Sequence, residues 1–365
     1  MSVVTRRQLL LSLPALAATR PFVAQAFRPA DAGLKPRATF RTAPQAGAPP
    51  IRVRTLSHFG LAVSDTRRSV DFYQGLFGMP IQARTGDNTI LRVGPGPQFI
   101  SIGPAGGAPP SINHFCLGVE GFNVDRILAA LTAHGVTKGD AVAPMKAAVT
   151  ITDGRADLLF GDPDGIRCQI QDASYCGGTG PLGNRCPTVE PSAKKGVIAL
   201  RDLSHLTISS TDSQRSNKFY QDLFGFSIRS YQGPTAPTLA VGPTVQFLMF
   251  TGGPSTGSGR AGVARGGAPA AAPRPASINH GCLSLDGFKP DDIIKSLESY
   301  GIKPREGATG PASALRHYIS MRMENRGGAP EGTPELYFTD PDGLLMQLQD
   351  ASYCGGGGFL GNACR

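Results

Sequence analysis

The sequence predicts an α+β chain in which one domain is written twice, each copy assembled from two βαβββ modules. Three observations carry that prediction. Residues 56–81 match 203–228, 111–136 match 277–302, and 160–177 match 338–355, in the same order both times. Three matched blocks in a fixed order are an internal duplication. Within each copy the first two blocks share a plan, with a short strand holding a His (His58, His114, His205, His280), then a turn through Asp or Gly, then a helix. The segments after each helix alternate apolar and polar residues. They break at Gly/Pro or at Asp-Pro-Asp-Gly, as strands and turns do.

The elements follow in order. Apolar periodicity predicts a helix over about Thr66 to Phe77, with Val70, Tyr73, Leu76 and Phe77 on one face and Gly78 as its stop. In the second block Ile127, Leu128 and Leu131 do the same before Gly135. The first domain is expected over 51–190 and the second over 199–365.

A chain of 365 residues has material for two to three domains. The formal charge of +9 is scattered, with no basic run interleaved with aromatics, so nucleic-acid binding is disfavoured. Low-complexity stretches at 27–50, 251–276 and 324–334 are too poor in large apolar residues to pack. The first reads as a flexible leader and the others as inserted surface loops, and none carries a recognisable chemical motif.

Arg6-Arg7, an apolar stretch to about Ala18 and Ala24-Gln25-Ala26 have the order of a secretory signal, here over 1–26. The paired arginines point to the twin-arginine route and so to a periplasmic or extracellular protein. Its apolar core is shorter than the roughly 20 residues of a spanning helix, so no stable membrane insertion is expected after cleavage. Twin-arginine export carries folded proteins, which hints at a cofactor loaded beforehand.

Seven Cys sort by position. Cys116 and Cys282 lie two residues after a repeated His and read as small buried residues, and Cys168 is unmatched. Cys176 with Cys186 and Cys354 with Cys364 repeat one pattern, Cys-Gly-Gly through Leu-Gly-Asn-x-Cys. Both pairs are expected as disulfides, each worth on the order of 2–3 kcal/mol. Metal-binding Cys pairs are usually closer in sequence.

The blocks LSHFGLAVSDTRRSVDFYQGLFG, INHFCLGV and FGDPDGIRCQI, with their second copies, resemble the vicinal oxygen chelate superfamily. That superfamily includes glyoxalase I, bleomycin resistance proteins and extradiol dioxygenases. The resemblance implies two tandem domains, in each of which paired βαβββ modules curl a mixed sheet into a cup that holds a divalent metal. Carried over residue by residue, it implies His58, His114 and Gln169 as ligands in the first cup. In the second it implies His205, His280 and Gln347.

Gln169 and Gln347 depart from the pattern, since the family normally has Glu four residues after the turn glycine. The fourth ligand of the isomerases aligns with Ser101 and Met249, neither a carboxylate. Asp172 and Asp350 are nearby substitutes, but they point away in a regular strand. A His–His–Gln set is neutral, whereas the facial triad that suits non-haem Fe(II) includes a carboxylate. Glyoxalase I isomerisation is the least expected activity, because there the Glu also moves the proton. In ring cleavage the substrate would supply the missing negative charge.

The halves also differ. Tyr337 lies ten residues before Gln347, where similar extradiol dioxygenases place a Tyr that contacts substrate; its counterpart is Leu159. His317 and Tyr318 have no evident partners in the first half. The resemblance therefore implies catalysis in the second domain, with Tyr337 and His317 as candidate catalytic residues. The expected cofactor is Fe, Mn, Zn or Ni, and the expected partner is a small aromatic or vicinal-oxygen molecule, with the chain a monomer or homodimer. The alternative is a non-catalytic cup that sequesters a small molecule, as bleomycin resistance proteins do.

Overall fold

The computed structural model describes residues 48–152, 154–253, 275–308 and 311–364. The signal expected over 1–26, nearly all of the leader and most of the 251–276 stretch lie outside them.

The first half runs β1 (Val53–Val63), α1 (Thr66–Phe77), β2 (Ile81–Thr85), β3 (Asn88–Arg92), β4 (Phe99–Pro104), β5 (Ser111–Val119), α2 (Val124–Ala133), β6 (Thr137–Lys138), β7 (Lys146–Thr152), β8 (Arg155–Gly161) and β9 (Arg167–Asp172). The second half repeats it with β10 (Asp202–Ser209), α3 (Ser213–Phe224), β11 (Ile228–Tyr231), β12 (Pro237–Ala240), β13 (Phe247–Thr251), β14 (Ser277–Leu285), α4 (Pro290–Ser299), β15 (Lys303–Pro304), β16 (Arg316–Arg322), β17 (Thr333–Thr339) and β18 (Leu345–Asp350). Each half forms one mixed sheet, ordered β2-β3-β4-β1-β5-β9-β8-β7-β6 and β11-β12-β13-β10-β14-β18-β17-β16-β15. Each module's first strand runs parallel to its last, and the two first strands meet antiparallel at the centre. That places the repeated histidines side by side. The short β6 and β15 are an addition to the expected modules.

The expected first helix ends where the sequence placed it. Asp65 accepts from the Arg68 N–H at its start, and Gly78, at φ 67°, adopts the left-handed conformation that closes it. Asp212 and Gly225 do the same for α3.

The two halves share a single hydrophobic core. α1 sends Phe72 and Phe77 against Phe338 of β17, while α3 sends Phe219 and Phe224 against Phe160 of β8. Each helix thus covers the outer face of the other half's sheet.

The Asp-Pro-Asp-Gly turns lock this exchange. Asp162 Oδ1 accepts the N–H groups of Asp164 and Ile166 at 2.9 Å, and its Oδ2 accepts the Tyr220 hydroxyl at 3.4 Å. Asp340 likewise holds Asp342 and Leu344 and accepts from Tyr73 at 3.3 Å. The second Asp of each turn reaches the start of the opposite helix. Asp164 accepts from the Thr211 N–H and pairs with Arg215, and Asp342 accepts from the Ser64 N–H and pairs with Arg68. A motif read as a simple turn is therefore also a latch between halves.

Candidate functional site

Side chains on paired strand positions share a face of the sheet. In the second half the register joins Phe247, His205, Cys282, Gln347, Tyr337 and Tyr318 into one row across β13, β10, β14, β18, β17 and β16. The first half has the same row as Phe99, His58, Cys116, Gln169, Leu159 and Ala148. The rows match in type through the Gln and diverge at the last two places.

In the second cup His205 Nε2 and His280 Nε2 each lie 3.0 Å from Gln347 Oε1. His205 stacks on Phe247 at 4.2 Å and is flanked by Tyr353 at 5.5 Å between ring centres. His280 meets Tyr337 edge to face at 5.3 Å. Burial holds His205 well below the usual imidazole range, with His280 adding to the effect, and burial pushes His280 down to about 4. Both rings are thus neutral near pH 7, the form that ligates metals.

The tautomer is set from behind. Asn279 Oδ1 lies 2.8 Å from His280 Nδ1. A carbonyl oxygen only accepts, so the ring proton is on Nδ1 and Nε2 presents a lone pair. That lone pair faces the Gln347 oxygen, another acceptor, an arrangement satisfied by a cation between them or by turning the amide to present its nitrogen. Donor atoms 3.0 Å apart match two ligands at right angles on an ion with bonds of about 2.1 Å. The residues fit a divalent metal in geometry and tautomer; what they lack is charge. No cluster of three or more His, Cys, Asp or Glu gathers as a metal site among the described residues, because the third donor is Gln.

The first cup has the same start. His58 Nε2 and His114 Nε2 lie 3.4 Å apart, and Asn113 Oδ1 holds His114 Nδ1 at 2.6 Å. Burial lowers His58 strongly, reinforced by His114, and brings His114 to about 4. Here the Gln169 amide donates to Asp157 Oδ1 at 3.3 Å. In the second cup the Gln347 amide nitrogen is buried without a partner.

Sequence reasoning missed a carboxylate in each cup. Glu335, two residues before Tyr337 on the same face, is buried in the cavity wall. It accepts from Arg322 Nε at 2.8 Å and from the Tyr353 and Tyr337 hydroxyls at 3.2 and 3.4 Å. Its counterpart Asp157 is gripped by Arg155 at 3.2 and 2.9 Å. The arginines come from different strands, yet each reaches the matching carbonyl of its half, Gly178 or Gly356, at 2.8 Å. Extending the third repeated block upstream would have aligned Asp157 with Glu335.

Two expectations need correction, those for His317 and for the stretch 324–334. His317 is not in the cup: it pairs with Phe338 on the outer face, and its Nε2 lies 3.2 Å from Glu298 of α4. The alternation of β16 turns it away while bringing Tyr318 in, stacked on Tyr337 at 5.1 Å. Asp172 and Asp350, as the strand alternation predicts, do not replace the missing carboxylates: each accepts from the N–H and hydroxyl of Ser174 or Ser352. The stretch 324–334 is no bare surface loop. It includes a 3-10 turn, Glu324–Arg326, and brings Arg326 to the cavity.

Cys176–Cys186 and Cys354–Cys364 form the two expected disulfides, and Cys116, Cys168 and Cys282 are free and buried. Each bridge closes the loop beside Tyr175 or Tyr353, a cup wall. Above the second row lies a cavity of about 220 Å³, lined by His205, His280, Gln347, Tyr337, Met249 and Arg326 among others. That is below the roughly 300–1,000 Å³ of drug-sized sites and suits a single ring. No helix among the described residues is long and apolar enough to cross a membrane.

Residues 55–170 match the model of the Glyoxalase/Bleomycin resistance protein/Dioxygenase superfamily. Among solved structures, the chain is similar to the Mn(II)-bound glyoxalase of Novosphingobium aromaticivorans, at 18% identity and TM-score 0.52, covering 82% of each chain. It is similar to a catechol 2,3-dioxygenase at 17% identity and TM-score 0.53, over 84% of this chain and 88% of that one. It is also similar to homoprotocatechuate 2,3-dioxygenase of Arthrobacter globiformis, at 16% identity and TM-score 0.52, over 83% and 81%. At these identities the likeness shows the fold: tandem cups as in two-domain dioxygenases. No curated protein matches the sequence significantly.

Proposed function

We propose that this chain, whose residues 55–170 carry a domain of that superfamily and whose second half repeats its fold, is an exported, metal-dependent enzyme of extradiol dioxygenase type acting through the second cup. The observation that carries the reading is the convergence of His205 and His280 on Gln347 Oε1 beside a ring-sized cavity walled by Tyr337. His205, His280 and Gln347 would hold Fe, Mn, Zn or Ni, which when bound supplies Lewis acidity toward two adjacent substrate oxygens and, if redox-active, a meeting point with oxygen.

The chain's own groups do the rest. Burial, then the Glu335 charge, raises the Tyr337 phenol well above its usual range, so it keeps its proton and can donate it to a substrate oxygen. Glu335 is held by Arg322 and accepts from that hydroxyl, which orients it. The partnerless Gln347 amide supplies a second donor. No carboxylate stands in the third ligand place, so glyoxalase-type proton transfer has no base there. Arg6-Arg7 and the two disulfides support export into an oxidising compartment.

Oxygen uptake with a catechol should accompany near-stoichiometric metal. His280→Ala should lower turnover by more than about 100-fold, a loss expected at a ligand when outer partners alone cost 10–100-fold. His114→Ala should change it by less than about twofold. Equal losses in both variants would place the chemistry elsewhere. The neutral donor set favours one rival, a binding cup without catalysis. That rival predicts a ligand-induced thermal shift needing no metal, and no oxygen uptake.

A further inference from the structure

We propose that the second cup selects a vicinal-oxygen substrate that also carries a carboxylate or comparable oxyanion, and that Arg326 binds that group. The proposal rests on the second cup being the working site and names what it takes.

The two halves differ in a connection that borders the second cavity. The strand bounds leave two residues between β7 and β8 and ten, 323–332, between β16 and β17. The longer segment is built into the wall. Arg322 Nη1 donates to Gly327 O at 2.8 Å, the Ala329 N–H donates to Thr333 Oγ1 at 3.1 Å, and that hydroxyl donates to Gly358 O at 2.7 Å. Gly327 turns at φ 76°, where a Cβ would come within 2.4 Å of the Tyr231 carbonyl oxygen. A segment so constrained holds Arg326 at the cavity.

Charge then indicates what Arg326 meets. Among the described residues no hydrogen bond or ion pair engages its guanidinium, while the carboxylate that lines the cavity, Glu335, is taken by Arg322. The metal donor set is neutral. Nothing on the cavity wall offsets a divalent ion, and Arg326, an exposed residue lining the cavity, is available to pair with an anionic ligand that balances that ion. The buried, unpartnered Gln347 amide independently points to a ligand with an oxygen acceptor. Arginine suits a carboxylate because its planar fork can donate two parallel hydrogen bonds.

The test is anaerobic calorimetry on the full chain, Mn(II)-loaded and metal-free, with catechol, protocatechuate and dihydrocaffeate. At least one carboxylate-bearing catechol should bind tenfold or more tighter than catechol, with a preference that weakens as salt rises. Arg326→Gln should erase that preference with catechol affinity unchanged within twofold, and Arg326→Lys should retain part of it. No preference, a preference that survives Arg326→Gln, or no binding by any of the three overturns the proposal. Oxygen uptake is read separately: binding preference without ring opening would leave the anion site standing and remove the dioxygenase reading, and turnover without preference would do the reverse.

Discussion

The two cups start from the same row of residues and finish differently. Phe99, His58, Cys116 and Gln169 repeat as Phe247, His205, Cys282 and Gln347, and a Tyr and a disulfide follow each. Beyond the Gln, the first cup has Leu159 and Ala148 where the second has Tyr337 and Tyr318. The first cup ties its Gln amide to Asp157; the second leaves its Gln amide for something else and adds a ten-residue wall carrying Arg326. Duplication supplied the same row twice, and only the second copy continues it with two tyrosines and a longer wall segment.

Breaking the buried ion pairs should show the largest difference. Arg322 and Glu335 are almost wholly buried, so Arg322→Ala leaves an unpaired charge and should cost about 3–5 kcal/mol in urea unfolding. Arg155→Ala, beside the more accessible Asp157, should cost less, about 1–3 kcal/mol. Equal losses would mean the cups are supported alike.

The latches and disulfides are shared by both halves and test the likeness. Burial raises Asp162 and Asp340 to about 6, so each acid holds its proton more tightly folded than unfolded. Their contribution is complete below about pH 4 and is lost as pH rises through about 6, at most about 3 kcal/mol each at 1.36 per pKa unit. The cup histidines, lowered by burial, act in the opposite direction, so the difference between wild type and Asp162→Asn or Asp340→Asn is the quantity to follow. It should change with pH in that window, by similar amounts for the two variants. Removing either disulfide with Cys176→Ser/Cys186→Ser or Cys354→Ser/Cys364→Ser should cost about 2–3 kcal/mol in either half.

Restoring the carboxylate sharpens the contrast most finely. Gln169→Glu sets a negative charge against Asp157, whose oxygen lies 3.3 Å from the amide it replaces, and should destabilise by about 1–3 kcal/mol at pH 7. Gln347→Glu displaces no hydrogen bond at the amide nitrogen and should raise metal affinity about tenfold or more. Thermal melts and metal titration of both variants distinguish these outcomes.

The six ligand candidates came from the resemblance to a known family; the duplication, the βαβββ order, the ends of α1 and the disulfide pairs were legible in the residues themselves. Each is local: a spacing, a cap, an alternating strand or a repeated motif signals its own conformation. What required the tertiary structure depends on which strands become neighbours. Period two alone does not tell which face of β16 is concave, so His317 and Tyr318 could be assigned only once β17 lay beside them. Glu335 gains meaning from an arginine brought in by the neighbouring strand, and Asp162 and Asp340 from tyrosines in the opposite half. A glycine-rich stretch with no motif became a cavity wall because backbone hydrogen bonds, which any residue can make, fix where Arg326 stands. Residue type sets what a side chain can do; packing decides which groups it does it with.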